Sequence, residues 1–221
     1  MDLIEKYYDD ILNISTIFED ADDAFLNERK VFFNYQPTSY YFLEKLFKLF
    51  PFTNQDHLID FGCGKGRVLF MAAYNQCKIV TGYEINKQRY DILSENVEKY
   101  QNKFGKESVI NILQEDAQYV KLDDTANKFF FFNPFELKVY VKVVNNIMAS
   151  FKNNERNIAI YLYRPHESTV RYLDLIEIFN KNVYIGHTFM TTDISKVDMP
   201  QFAIYSNYKM EHSLNEYSIT I

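Results

Sequence analysis

The chain has 221 residues, 47% of them hydrophobic, and no Pro-, Gly- or Ser-rich linker or internal repeat divides it. One domain over residues 1–221 is therefore expected, with 1–50 as an N-terminal helical extension and 51–221 as the core. The formal charge of −6 lies wholly in residues 1–30, where nine acids face three bases; the neutral remainder argues against a large DNA or RNA footprint and favours a protein or small-molecule partner.

Two cysteines, Cys63 and Cys77, supply neither a disulfide framework nor metal-ligand spacing, so a reducing cytoplasm and no metal are expected. The start, Met1 to Lys6, lacks a basic segment followed by an apolar core. No apolar run approaches the roughly 20 residues that span a bilayer, so a soluble protein with no membrane partner is expected. The acidic segment reads as a solvated helical face, with docking of a basic partner as the alternative.

The extension ends at Val31 to Tyr41, where Thr38 or Ser39 can cap a helix carrying Leu43, Leu46, Phe47 and Phe50. An apolar strand, Leu58 to Phe61, then enters the segment Gly62-Cys63-Gly64-Lys65-Gly66, which holds three of the chain's six glycines. A helix starts near Gly66 and runs through Val68, Leu69, Met71 and Ala72. Strand, tight glycine turn and helix form a ligand cradle, because backbone can approach a bound molecule closely there. The dinucleotide spacing G-x-G-x-x-G requires a glycine where Arg67 stands. Asp60 at the strand tip repels a pyrophosphate but attracts an ammonium and a sulfonium, which selects S-adenosylmethionine over NAD.

A second strand, Lys78 to Tyr83, runs into Glu84, eighteen residues after Gly66. Tyr90, Leu93, Val97, Tyr100 and Phe104 place an apolar stripe on one face of the next helix, with Asn86 as N-cap and Gly105 as stop. Val109 to Leu113 is a third strand leading to Asp116 and Ala117. Phe129 to Phe132 is a fourth, opening onto Asn133-Pro134-Phe135-Glu136. A helix carrying Tyr140, Val144, Ile147 and Phe151 follows, then a strand at 157–163, His166 and Glu167, and a helix over 170–179. Two more strands, Asn182 to Thr188 and Gln201 to Tyr205, close the β-α-β-α alternation of an α/β fold.

Asp60 to Gly66 is similar to the first motif of the class I S-adenosylmethionine-dependent methyltransferases, and the later strand ends fall in that family's order. The resemblance implies a Rossmann-like, seven-stranded, mostly parallel sheet with helices on both faces and an antiparallel C-terminal hairpin. It implies that Gly62, Cys63, Gly64, Gly66 and Arg67 surround the cofactor, and that Glu84, beside Ile85, holds the ribose hydroxyls. Asp116 and Ala117 would meet the adenine; Tyr35 and Thr38 would meet the methionine end. Asn133-Pro134-Phe135 is similar to the N-P-P-Y/F motif of amino-group methyltransferases, in which the Asn amide oxygen and a proline carbonyl accept from the target nitrogen and the ring packs against it. Here a single proline moves Phe135 one position early and puts Glu136 where the ring belongs. The implied activity is methyl transfer to a nitrogen of a protein or small molecule, yielding S-adenosylhomocysteine. A weakly active or inactive S-adenosylmethionine-binding regulator, and a methyltransferase acting on nucleic acid, are the alternatives.

Overall fold

A computed structural model describes residues 3–17, 35–132, 135–186 and 200–210, with side chains left out at 182–186, 200 and 201. Its elements in chain order are α1 (Leu3–Leu12), α2 (Tyr40–Leu49), β1 (His57–Phe61), α3 (Arg67–Tyr74), β2 (Ile79–Tyr83), α4 (Lys87–Phe104), β3 (Val109–Leu113), β4 (Lys128–Phe131), α5 (Leu137–Asn153), β5 (Ala159–Tyr163), α6 (Glu167–Asp174), β6 (Asn180–Gly186) and β7 (Pro200–Ser206). Among the described residues the strands form a seven-stranded sheet in the order β3-β2-β1-β4-β5-β7-β6. β1 pairs in parallel with β2 and β4, β2 with β3, and β4 with β5. β7 runs antiparallel to both β5 and β6, as the resemblance implies.

The central strands are continuous apolar runs because helices cover both their faces. Successive side chains point to opposite faces, so the four phenylalanines divide between two cores. Phe130, with Leu58 of β1, joins Leu43, Leu69, Phe70 and Leu93 beneath α1 to α4. Phe129 and Phe131, with Ile59 and Phe61, join Val143, Val144 and Ile147 of α5 and Leu173 of α6. Phe129, Phe130 and Phe131 are each at most 1% exposed, and burying each contributes about 1.5–3 kcal/mol before entropy is counted.

α4 has the ends its sequence signals. The Asn86 side chain accepts from the Gln88 and Arg89 amides, and Gly105, at φ 76°, donates its amide to Gln101. α2 does not. Ser39 stands at the N-cap, but its hydroxyl makes no capping bond. The Glu5 carboxylate of α1 accepts instead from the Tyr40 amide and the Ser39 hydroxyl, both at 3.1 Å. Within the described part of the acidic extension, Asp10 is solvated as expected but Asp9 is not, being 4% exposed and accepting from Thr16 and Tyr40.

α6 is shorter than the 170–179 expected from its apolar pattern. It ends at Asp174, where the Tyr205 hydroxyl of β7 contacts the Val170 carbonyl (3.3 Å) and the Asp174 carboxylate (2.7 Å). The chain then turns back through Ile176 and Phe179, whose amides bond Leu173 and Ile176. Among the described residues no helix is long and apolar enough to cross a membrane.

Candidate functional site

Sheet order reverses between β1 and β4, and a parallel sheet opens a crevice at the carboxyl ends of strands flanking such a reversal. A cavity of about 280 Å³ lies there.

The glycine loop forms its floor. The Gly62 and Cys63 amides both donate to the Tyr83 carbonyl at the end of β2, at 2.9 and 3.1 Å, which ties the loop to the neighbouring strand. Gly62, Gly64 and Gly66 have φ of 74°, 56° and 92°, a region that other residues enter only with strain. Gly64 also lies beneath the Tyr35 ring: a Cβ there would stand 2.5 Å from it. Gly62, Cys63 and Gly64 line the cavity, whereas Gly66 packs against Phe70 and Leu93 and does not.

Two buried carboxylates face this floor. Glu84, 4% exposed at the end of β2, accepts from the Gly64 amide (2.9 Å) and the Asn86 amide (2.7 Å). Burial pushes its carboxyl up, and those amides with Arg89 pull it part of the way back. Asp60, also 4% exposed, lines the cavity, and no described residue donates a hydrogen bond to it. Burial first and the Glu84 charge second raise its carboxyl well above the ordinary range. A carboxylate set in a cavity wall without a protein donor is a feature that a cationic ligand satisfies. The residues present therefore fit a sulfonium- and ammonium-bearing cofactor.

Of the other residues singled out in the sequence, Ile85, Asp116, Ala117, Tyr35, Thr38, Arg67 and Phe135 also line the cavity. Asp116 accepts from the Gln118 amide and side chain, which orders the turn after β3. Asn133 and Pro134 lie outside the described residues, as does His187. His166 stands at the N-cap of α6 and does not line the cavity. Burial pushes the Cys63 thiol well up, which disfavours the thiolate.

Sequence reasoning missed Arg89, whose guanidinium lies 5.6 Å from the centre of the Tyr35 ring and lines the cavity. It sits in the first turn of α4, where an arginine reads as solvated. Phe132 and Val139 are missed too, being indistinguishable in sequence from core residues.

The family model of histone methylation protein DOT1 matches residues 20–195. No curated protein matches the chain in sequence. Among solved structures, a candidate methyltransferase from Streptococcus mutans, in complex with SAH, superposes with a TM-score of 0.55 at 12% identity over 77% of this chain and 99% of that one. A candidate RNA methyltransferase from Pyrococcus horikoshii gives 0.54 at 14% identity, covering 93% and 96%. The human methyltransferase 10 domain containing protein gives 0.53 at 11% identity, covering 92% and 93%. These likenesses show a shared fold, and the family match covers most of the chain; the protein belongs to the family of histone methylation protein DOT1 and is a class I S-adenosylmethionine-dependent methyltransferase.

Proposed function

We propose that the cavity holds S-adenosylmethionine across the ends of β1, β2 and β3, and that the methyl group passes to a nitrogen of a protein acceptor. The Asp60 carboxylate in the cavity wall, to which no described residue donates, carries this reading, since a cation beside it offsets its desolvation cost. Asp60 and the glycine loop take the methionine end, Glu84 the ribose, and the Asp116-Ala117 turn the adenine. Tyr35 and Thr38 close the opposite wall. S-adenosylmethionine supplies a methyl group on a sulfonium, already a good leaving group, so the chain's task is to position an uncharged nitrogen and exclude water. Asn133 and Pro134 offer carbonyl oxygens to the acceptor's N–H, and Phe135 packs beside it.

The family's description names histone methylation, which supports a protein nitrogen as acceptor. Apart from Glu5 and Asp9, which the fold itself engages, the acids of residues 1–30 suit a basic acceptor segment. The two cores draw on helices from both halves of the chain, which supports one domain with 1–50 as its extension. Unpaired, buried Cys63 and Cys77 support a reducing compartment, the cytoplasm.

Calorimetric titration with S-adenosylmethionine, S-adenosylhomocysteine and NAD tests the cavity. Micromolar binding of the first two alone is expected, and binding of NAD or of none refutes the reading. Transfer of radiolabelled methyl to histones rather than to RNA then tests the acceptor. The single proline of the Asn133-Pro134-Phe135 motif supports a second reading, cofactor binding without turnover. Any methylated product excludes it.

A further inference from the structure

Arg67 leaves the glycine loop directly, and its side chain is 3% exposed. Nε donates to Thr16 Oγ1 at 2.7 Å, Nη2 to the Thr16 carbonyl at 3.3 Å, and Nη1 both to the Thr38 carbonyl at 3.0 Å and to the Glu5 carboxylate. The guanidinium lies over the Tyr40 ring, 4.3 Å from its centre. These partners come from separate stretches of the N-terminal chain: α1, the segment after it, and the strip that walls the cavity.

Thr16 extends the connection. Its hydroxyl donates to Asp9 Oδ1 at 2.6 Å, and its carbonyl accepts from the Tyr35 hydroxyl at 2.7 Å. Tyr35 and Thr38 line the cavity, whereas Glu5, Asp9 and Thr16 do not. One rigid fork therefore links the start of α3 to both ends of the Tyr35–Thr38 strip, one of them through Thr16. Protein acceptors already engage most of its N–H groups, so a direct pairing of this guanidinium with a cofactor carboxylate would displace a bond that holds the wall.

We infer that Arg67 is a positioning residue: it sets the Tyr35–Thr38 wall against the glycine loop, so that cofactor affinity depends on Thr16, a side chain outside the cavity. This rests on the proposal that the cavity takes S-adenosylmethionine. A lysine cannot substitute, because one ammonium does not reproduce the planar fork.

The test is the affinity for S-adenosylhomocysteine of wild type, Thr16→Val, Arg67→Lys and Arg67→Ala, with folding checked by circular dichroism. Thr16→Val is expected to weaken binding about tenfold and Arg67→Lys at least as much, the size of effect that loss of a hydrogen bond to a charged group gives. Added guanidinium ion is expected to restore binding to Arg67→Ala, which a general loss of stability would not allow. Wild-type affinity in folded Thr16→Val overturns the inference even if Arg67→Ala does not fold. Absence of binding by wild type overturns the reading of the cavity, and the inference with it.

Discussion

Asp60 and Glu84 end adjacent, hydrogen-bonded strands, and burial raises the carboxyl of each. Such an acid holds its proton more readily in the folded chain than in the unfolded one. Between the ordinary carboxylate range and the raised folded value, the folded state thus carries more protons, and stability falls as pH rises. The ligand-free protein should melt progressively lower as pH climbs through this window. Asp60→Asn should remove part of that decline and raise the melting temperature near neutrality by about 2–4 °C, the shift that ~1 kcal/mol gives in a chain of this size. The same substitution should abolish measurable cofactor binding, and wild-type cofactor affinity should fall on acidification as Asp60 is neutralised. A melting temperature unmoved by Asp60→Asn would show that Asp60 has a partner in solution. Glu84 differs in already holding two backbone amides. Glu84→Ala should cost about 1.5–3 kcal/mol of cofactor affinity, or roughly ten- to a hundredfold, and unchanged affinity in the same titration would remove Glu84 from the site.

At the scale of elements, the glycine loop performs two separate tasks. Gly64 gives space to Tyr35, and Gly66 gives space to the contact of α3 with α4. A Cβ on Gly66 would stand 2.7 Å from the Phe70 ring and press on Leu93, at a φ of 92°. Gly66→Ala should therefore destabilise by about 2–4 kcal/mol, combining left-handed strain with overpacking, yet leave cofactor affinity nearly unchanged in the folded fraction. Chemical denaturation and titration of the same preparation separate the two effects. The alternation of the glycines is visible in sequence, but which one faces a ligand depends on where Leu93 arrives from α4. Helix ends divide in the same way. Asn86 and Gly105 cap with groups inside their own segment and are legible; the partner of the Tyr40 amide is Glu5, thirty-five residues upstream, and no local pattern announces it.

Across the whole molecule, the strands were readable because a parallel sheet covered on both faces demands continuous apolar runs such as Phe129 to Phe132. Their assembly into one seven-stranded sheet with an antiparallel C-terminal hairpin came only from the family resemblance, and their order in it only from the structure. Composition suggests a solvated face for the acids of α1, and Asp10 is exposed, but the fold buries Asp9 and draws Glu5 onto Arg67. Charge counts average over a segment and do not reveal which acid has a buried guanidinium waiting for it.

The position of β7 has a temporal consequence. Among the described residues it is the last strand in chain order, yet it lies between β5 and β6. During synthesis β6 therefore emerges before the one described strand it pairs with, and the Ala159–Tyr163 edge, buried along its whole length in the finished protein, stays open until Pro200–Ser206 has left the ribosome. The sheet is sealed from its tail, and a nascent chain halted before β7 presents an unpaired apolar edge to its surroundings.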